Sequence, residues 1–153
     1  MTTEQDWRMT LMKKYKKLFY YKGHPTCMFG IAVGDGWRTL VESLCEYLQW
    51  NIDHNKDPQV IVTTVKEKFA GLRFYIGPGV ARQFDAISFA ETLSSHICEH
   101  CGAWVEKSEQ DPKAPYKLTL CAKCEVKRAK AEKKRMEELR CLTKKRKART
   151  RSR

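Results

Sequence analysis

Two pairs of cysteines carry the clearest chemical signal in this sequence. Cys98 and Cys101 form one C-x2-C pair, Cys121 and Cys124 form another, and residues 102–120 separate them. This arrangement falls in the range typical of structural zinc sites. Zn²⁺ in such sites prefers four thiolates in a closed tetrahedron. The spacing therefore predicts one Zn²⁺ bound by these four cysteines, in preference to two disulfides or four unligated thiols.

Other residues that can bind metal or act in catalysis give weaker signals. His24 and Cys27 lie close together, but no second pair accompanies them, so a buried thiol and a surface imidazole are expected. His100 lies inside the first cysteine pair without a role of its own. Residues 1–97 contain no motif of a Ser-His-Asp catalytic triad, no Gly-rich phosphate loop and no paired carboxylates. A closed four-thiolate site also has no position for a substrate. The sequence thus predicts no catalytic residues, no enzyme and no small-molecule substrate.

The positive charge is concentrated towards the C-terminus. The chain has a net charge of +12, and residues 121–153 contain 15 Lys and Arg against four Glu. Residues 1–120 contain 15 basic and 14 acidic residues, so they are close to neutral. Such asymmetry favours a polyanionic partner, most often nucleic acid, here DNA or RNA. A solvated tail that only keeps the protein soluble is the alternative.

The cations of this basic segment are the candidate phosphate ligands. Arginine binds phosphate through a planar fork of donors. After Thr143 the like charges are so dense that a disordered arm is expected when no partner is bound. The predicted nucleic-acid-binding residues are Lys127, Arg128, Lys130, Lys134, Arg135, Lys144, Lys145, Arg146, Lys147, Arg149, Arg151 and Arg153.

The elements that position these residues follow from hydrophobic periodicity. Apolar residues at helical spacing predict a short helix around residues 7–15 and longer helices over 37–50 and 82–97. Asp35 is expected near the N-cap of the second helix, and a polar connector is expected over 51–58. The aromatic side chains of the two longer helices are expected to pack in the core.

A β-hairpin is predicted between the two longer helices. Residues 59–68 are rich in β-branched side chains, residues 72–76 form a second apolar run, and turn residues separate them. Lys66, Lys68 and Arg73 lie near the closed end. They could contact phosphates, although charges at the tip of a hairpin are usually only solvated.

The metal module is expected to consist of a knuckle, a hairpin and a helix. Residues 103–105 and 117–120 are predicted as short strands, and the chain has no Gly or Pro from Ala122 to Arg153. That composition predicts a helix from Ala122 to about Lys144. This order resembles a treble-clef zinc finger. A zinc ribbon, which would place the second cysteine pair on another hairpin, is the alternative.

One string of residues resembles a known family. Residues 65–75, Val-Lys-Glu-Lys-Phe-Ala-Gly-Leu-Arg-Phe-Tyr, are followed by Cys-x2-Cys-Gly and Leu-Cys-x2-Cys. This pattern resembles a family of small uncharacterised phage and bacterial proteins with a Lys-Glu-Lys-Phe-Gly-Gly-Leu-Arg-Phe-Tyr hairpin and a four-cysteine zinc module. Ala70 stands where that family usually has glycine. The resemblance covers about residues 14–125 and implies a phage or bacterial setting, without an activity.

The predicted fold class is α+β: a small helix and β-hairpin body, a four-cysteine treble-clef-like zinc module and a long basic C-terminal helix. The predicted domains are the body (1–97), the zinc module (98–125) and the basic helix with its disordered arm (126–153). No apolar run reaches the ~18 residues of a membrane span, and no signal-peptide stretch begins the chain, so a cytoplasmic protein is expected.

The preferred function is that of a nucleic-acid-binding accessory protein, encoded by a phage. Two alternatives remain open. The first is a protein inhibitor or adaptor that binds a host protein, such as a polymerase or a defence factor. The second is a structural protein associated with a ribosome or another particle.

Overall fold

The computed structural model describes residues 6–106 and 118–151, and the side chains of the last helix as far as residue 143. The chain divides after Leu120 into two compact units, Met1–Leu120 and Cys121–Arg153. The first unit contains helices and strands, as the prediction of an α+β fold requires. The domain boundaries drawn from the sequence remain a prediction.

The first unit contains four α-helices and five short strands among its described residues. The helices are α1 (Trp7–Lys14), α2 (Lys16–Phe19), α3 (Arg38–Asn55) and α4 (Ala81–Ser94). The strands are β1 (Tyr20–Tyr21), β2 (His24–Pro25), β3 (Ile31–Ala32), β4 (Val62–Glu67) and β5 (Leu72–Ile76). A turn of 3-10 helix, Asp35–Trp37, leads into α3.

The strands form two sheets. Strands β1 and β2 pair in a small antiparallel ribbon, and β3, β4 and β5 form a three-stranded sheet in that order. The predicted hairpin is confirmed, since β4 and β5 are antiparallel, with Lys66 opposite Arg73. Strand β3 runs parallel to β4, with Ile31 opposite Val65.

One hydrophobic core joins these elements. Residues from α2, α3, β4, β5 and α4 contribute to it, which explains why the apolar positions of each helix recur on one side. Its largest fully buried side chain is Trp37, at the start of α3. The other large members are Phe19, Phe74, Leu18, Leu48, Leu72, Val41, Val60, Val62 and Val65.

Helix α3 extends five residues beyond its predicted end. The connector expected from residue 51 begins instead at Lys56, which adopts a left-handed conformation and ends the helix. Asn51 is buried, and its side-chain amide donates a hydrogen bond of 2.8 Å to the carbonyl of Tyr47. Ile52 is packed against the core. The apolar face of α3 therefore continues through a stretch whose composition is polar.

Asp35 does not cap α3. The residue before the 3-10 turn is Gly34, and no side chain caps the start of either helical segment. The Asp35 carboxylate instead accepts hydrogen bonds from the indole of Trp7 at 2.9 Å and the guanidinium of Arg8 at 2.7 Å. These bonds lower the pKa of the Asp35 carboxyl group, and the bond from Trp7 has the largest effect. The carboxylate thus ties α1 to the start of α3.

The segment between the cysteine pairs differs from its prediction where it is described. Trp104, in the predicted strand 103–105, forms an isolated antiparallel bridge with Ile97. Residues 118–120 have no regular structure, and residues 107–117 lie outside the described part of the chain.

The second unit contains helix α5 (Ala122–Arg151). Its backbone is helical beyond Lys144, where the sequence prediction ended the helix and began a disordered arm. The strong helix formers and the lack of Gly or Pro explain how the helix can continue. Within the described ranges, no helix combines the length and apolar character that crossing a membrane requires.

Candidate metal centre

The four predicted cysteine ligands lie together. One sulfur atom from each of Cys98, Cys101, Cys121 and Cys124 takes part, and all four lie within 4.8 Å of one another. Cys98 and Cys124 are buried, Cys121 is half-buried and Cys101 is exposed. Among the described residues this is the one group of this kind that could hold a metal ion.

The spread of the sulfur atoms fits a metal ion bound by four thiolates. A tetrahedron with metal–sulfur bonds of about 2.3 Å has edges of about 3.8 Å between sulfur atoms. Separations within 4.8 Å are therefore close to those of a closed site and need only a small contraction. Four soft sulfur donors suit Zn²⁺ or another thiophilic metal rather than Mg²⁺ or Ca²⁺, which prefer oxygen.

The first cysteine pair is shaped by a tight backbone turn. The N–H of Gly102 donates to the carbonyl of Cys98 at 2.8 Å, and the N–H of Cys98 donates to the carbonyl of Ala103 at 2.7 Å. Gly102 has a φ of +77°, a conformation that glycine adopts without steric cost. The glycine after the pair thus allows the tight turn.

A second segment braces this turn from the other side. The N–H of Gly36 donates to the carbonyl of Glu99 at 2.8 Å, and the N–H of Gly34 donates to the Glu99 carboxylate at 2.9 Å. The buried indole of Trp37 donates to the carbonyl of Ile97 at 2.8 Å. Sequence reasoning predicted no contact for these two glycines. The signal it missed was their alternation directly before a tryptophan.

The two glycines are required by space. A Cβ added to Gly36 would overlap the carbonyl oxygen of Cys98, and one added to Gly34 would overlap that of Glu99. At both positions the glycine backbone therefore packs directly against the backbone of the first cysteine pair. An alanine at either position would force these two segments apart. This close approach fixes the orientation of the first cysteine pair.

Thr119 links the first cysteine pair to the β4–β5 hairpin. Its hydroxyl donates to the carbonyl of Ala70 at 2.6 Å, and its carbonyl accepts the N–H of Glu99 at 2.8 Å. Ala70 lies in the hairpin turn, where its N–H also donates to the carboxylate of Glu67 at 2.8 Å. The hairpin therefore helps to position the knuckle, a role that the sequence did not reveal.

The second cysteine pair lies at the start of a helix. Cys121 directly precedes α5, Cys124 lies in its first turn, and the N–H of Glu125 donates to the carbonyl of Cys121 at 2.9 Å. A helical turn brings residues three apart to the same side, so both thiolates of this pair can reach one ion.

A buried carboxyl group lies beside the first cysteine pair. Burial raises the pKa of Glu99, although the N–H of Gly34 partly offsets this. Its second oxygen has no hydrogen-bond partner among the described residues. The adjacent His100 is exposed.

Cys27 and His24, which lie outside the cysteine cluster, have the environments predicted for them. Cys27 is buried, its thiol donates to the carbonyl of Gly30 at 2.8 Å, and His24 is exposed. The prediction of a buried thiol and a surface imidazole is therefore confirmed.

The candidate phosphate ligands on α5 are only partly described. Lys127, Lys130, Lys134 and Arg135 are exposed, whereas Arg128 is half-buried. Arg128 pairs with Glu125 at 2.8 Å and with Glu132 at 3.7 Å. The other predicted ligands have side chains outside the described part of the chain: Lys144, Lys145, Arg146, Lys147, Arg149, Arg151 and Arg153.

The prediction that the aromatic side chains of α3 and α4 pack in the core is wrong for most of them. Trp37 is fully buried, but Phe89 is 70% exposed, and Tyr47, Trp50 and Phe84 are also exposed. Tyr47 and Phe89 border an apolar groove of about 430 Å³ between the two helices. Helical spacing grouped Phe89 with the core residues, but it did not show that this ring is exposed.

Comparisons with protein-family models, with curated proteins and with solved structures each found no match.

Proposed function

We propose that this is a zinc-containing nucleic-acid-binding accessory protein, encoded by a phage. In this proposal, the basic helix α5 and the residues after it contact phosphates, and the zinc centre has a structural role. The observation that carries the proposal is the row of exposed cations on α5.

Several cations on the described part of α5 take part in no ion pair. The whole helix carries 14 Lys and Arg against four Glu. As far as residue 143, where side chains are described, Arg128 is in ion pairs, whereas Lys127, Lys130, Lys134 and Arg135 are in none. Cations that are in no ion pair bind phosphate without first losing one, and they release counterions from the nucleic acid when they bind.

The metal in this proposal is one Zn²⁺. Four thiolates form a closed site, which stabilises a fold but has no open position for a substrate. A treble clef is preferred to a zinc ribbon, because the second cysteine pair lies at the start of a helix. The metal would therefore hold the module together, and no catalytic residue is proposed.

A salt titration with two charge variants tests the proposal. Full-length protein should bind DNA or RNA with little sequence preference, and affinity should fall by orders of magnitude between about 50 and 200 mM salt. The triple variant Lys127→Ala, Lys134→Ala and Arg135→Ala should bind more weakly and show a flatter salt dependence. Each phosphate that the variant leaves without a cation lowers the slope by about 0.9 on duplex DNA or about 0.7 on a single strand.

A charge-matched variant in the first unit provides the control. Lys13, Lys16 and Lys22 are exposed and take part in no ion pair among the described residues. Their replacement by alanine removes the same charge and should change the salt slope less. An equal decrease in affinity in the two variants would show that binding depends on net charge and not on the position of the cations on α5. Full-length protein without nucleic-acid affinity at low salt would end the proposal.

The adaptor alternative makes the opposite prediction. A protein partner recovered from the host after nuclease treatment, and kept by a variant that lacks Lys144–Arg153, would favour an inhibitor or adaptor. Loss of the partner on nuclease treatment would favour nucleic acid.

A further inference from the structure

The turn of the β4–β5 hairpin holds an aromatic ring in an unusual position. Phe69 and Ala70 have φ values of 54° and 58°, and Lys68 and Gly71 exchange backbone hydrogen bonds of 2.9 and 3.3 Å around them. This is the geometry of a two-residue type I′ turn, which favours Asn-Gly. A bulky residue in the left-handed region is sterically costly. Yet the ring of Phe69 is 79% exposed, so it adds little to the core.

The side of the hairpin away from the core carries another ring and further cations. Lys66 lies opposite Arg73, and Tyr75 lies opposite Thr64. Side chains alternate along a strand, so these four positions share the side away from the buried Phe74. Tyr75 is 46% exposed. We call this surface the hairpin face, which consists of Lys66, Lys68, Phe69, Arg73 and Tyr75.

The hairpin face is positively charged. Lys66 and Lys68 are exposed and take part in no ion pair among the described residues, while Arg73 lies 3.8 Å from Glu91. The ammonium of Lys68 is 5.0 Å from the centre of the Phe69 ring. Cations and exposed rings therefore occur on one surface, and no strand position on that side carries an acid.

The turn is held rigidly from two directions. The Glu67 carboxylate accepts the N–H of Ala70, and the Thr119 hydroxyl donates to the carbonyl of Ala70. A ligand that contacts Phe69 therefore meets a backbone that is already ordered, which reduces the entropy lost on binding.

We propose that the hairpin face binds single-stranded nucleic acid, with bases stacked on Phe69 and Tyr75 and phosphates bound by Lys66 and Lys68. Aromatic platforms within a positive surface are the usual means of binding single strands without strong sequence preference. A duplex keeps its bases stacked inside, so it cannot use the rings in this way. The inference rests on the proposed nucleic-acid-binding function and adds a second contact surface to it.

Substitution of the ring separates stacking from charge. Phe69→Ala should weaken binding of a twelve-nucleotide oligo(dT) or oligo(U) by about 5- to 150-fold. The salt slope should stay the same, because no cation is removed. Phe69→Trp, which keeps a ring, should retain affinity. Lys66→Ala should instead lower the slope by about 0.7.

Two controls keep the test specific. Alanine at position 69 retains a Cβ, so the turn keeps its geometry and its steric cost, and circular dichroism checks the fold. Phe89→Ala removes another exposed ring, from α4, and should leave affinity for the single strand unchanged. Affinity for a twelve-base-pair duplex should change little in Phe69→Ala.

The outcomes distinguish this inference from the function on which it rests. Wild-type protein that binds neither oligonucleotide would overturn both. Wild-type protein that binds, while Phe69→Ala and Tyr75→Ala leave its affinity for the single strand unchanged, would overturn the inference alone. An equal loss of duplex and single-strand binding in Phe69→Ala would also contradict base stacking.

Discussion

The α-carbon of Gly36 lies against the carbonyl oxygen of Cys98, with no room for a side chain between them. The N–H of Gly36 also donates to the carbonyl of Glu99 at 2.8 Å. The turn that begins α3 and the first cysteine pair are therefore in direct backbone contact, although more than 60 residues separate them in sequence.

Replacement of Gly36 by alanine should disrupt this contact. The added Cβ would overlap backbone atoms, which cannot move away as the end of a flexible side chain can. We expect the free energy of unfolding to fall by roughly 1–3 kcal/mol, the usual effect of overpacking. Urea unfolding with the metal bound measures it. Gly77→Ala is the matched control, because a Cβ there would meet its nearest neighbour at 3.9 Å and should be tolerated.

Replacement of Ala70 by glycine should stabilise the protein. Ala70 has a φ of 58°, a left-handed conformation that costs a residue with a Cβ about 1–2 kcal/mol. The greater freedom of glycine in the unfolded chain offsets part of this gain. We expect a net increase of roughly 0.5–1 kcal/mol in the free energy of unfolding.

The same substitution at an ordinary strand position provides the comparison. Ala32 lies in β3 opposite Lys66, and its φ is not positive. Ala32→Gly should lower the free energy of unfolding by about 0.5–1 kcal/mol. A loss of stability in Ala70→Gly of the same size would show that the turn carries no strain.

Metal analysis should find one Zn²⁺ per chain. Cys98→Ser combined with Cys121→Ser removes one ligand from each pair and should abolish stoichiometric binding. Cys141→Ser, at an exposed position outside the cluster, should leave the ratio unchanged. Because metal affinity contributes directly to folding, a strong chelator should lower the melting temperature of the wild-type protein. A folded, reduced sample without metal would contradict the assignment.

The thiols outside the cluster should differ in reactivity. Cys141 is exposed, whereas Cys45 is fully buried, and its burial raises the pKa of its thiol. The thiolate is the reactive form, so burial slows alkylation both by blocking access and by lowering the thiolate fraction. We expect a mild alkylating agent to modify Cys141 first in the native, metal-loaded protein, as mass spectrometry can follow. Modification of Cys45 before Cys141 would contradict the placement of both residues.

The sequence predicts those parts of the fold that depend on local periodicity. The helix beginning near Trp37, the β4–β5 hairpin and the group of four cysteines are all confirmed. Each has a signal within a short window: apolar residues at helical spacing, β-branched runs around a turn, or paired cysteines. These signals are strong because each pattern is formed by residues that lie close together in the sequence.

The features that the sequence did not reveal depend on distant partners. Asp35 was predicted as a cap, but Trp7 and Arg8 bind its carboxylate. The bond from Thr119 to Ala70 joins residues that no local pattern connects. Phe89 has the spacing of a core residue, yet it borders the groove between α3 and α4 and is 70% exposed. Tertiary geometry decided these cases, as it usually does for side-chain partners.

The contacts around the first cysteine pair also limit the order of folding. Trp37 and Ile97 are 60 residues apart, Gly34 and Glu99 are 65 apart, and Ala70 and Thr119 are 49 apart. Contacts across such long loops form late in folding, because closing the loop costs conformational entropy before the contact can contribute any stabilisation. The ribosome makes Gly34, Gly36 and Trp37 well before the four cysteines. Metal loading in the native geometry should therefore follow collapse of the body, and a fragment that begins near His96 should capture the ion more weakly than the full chain.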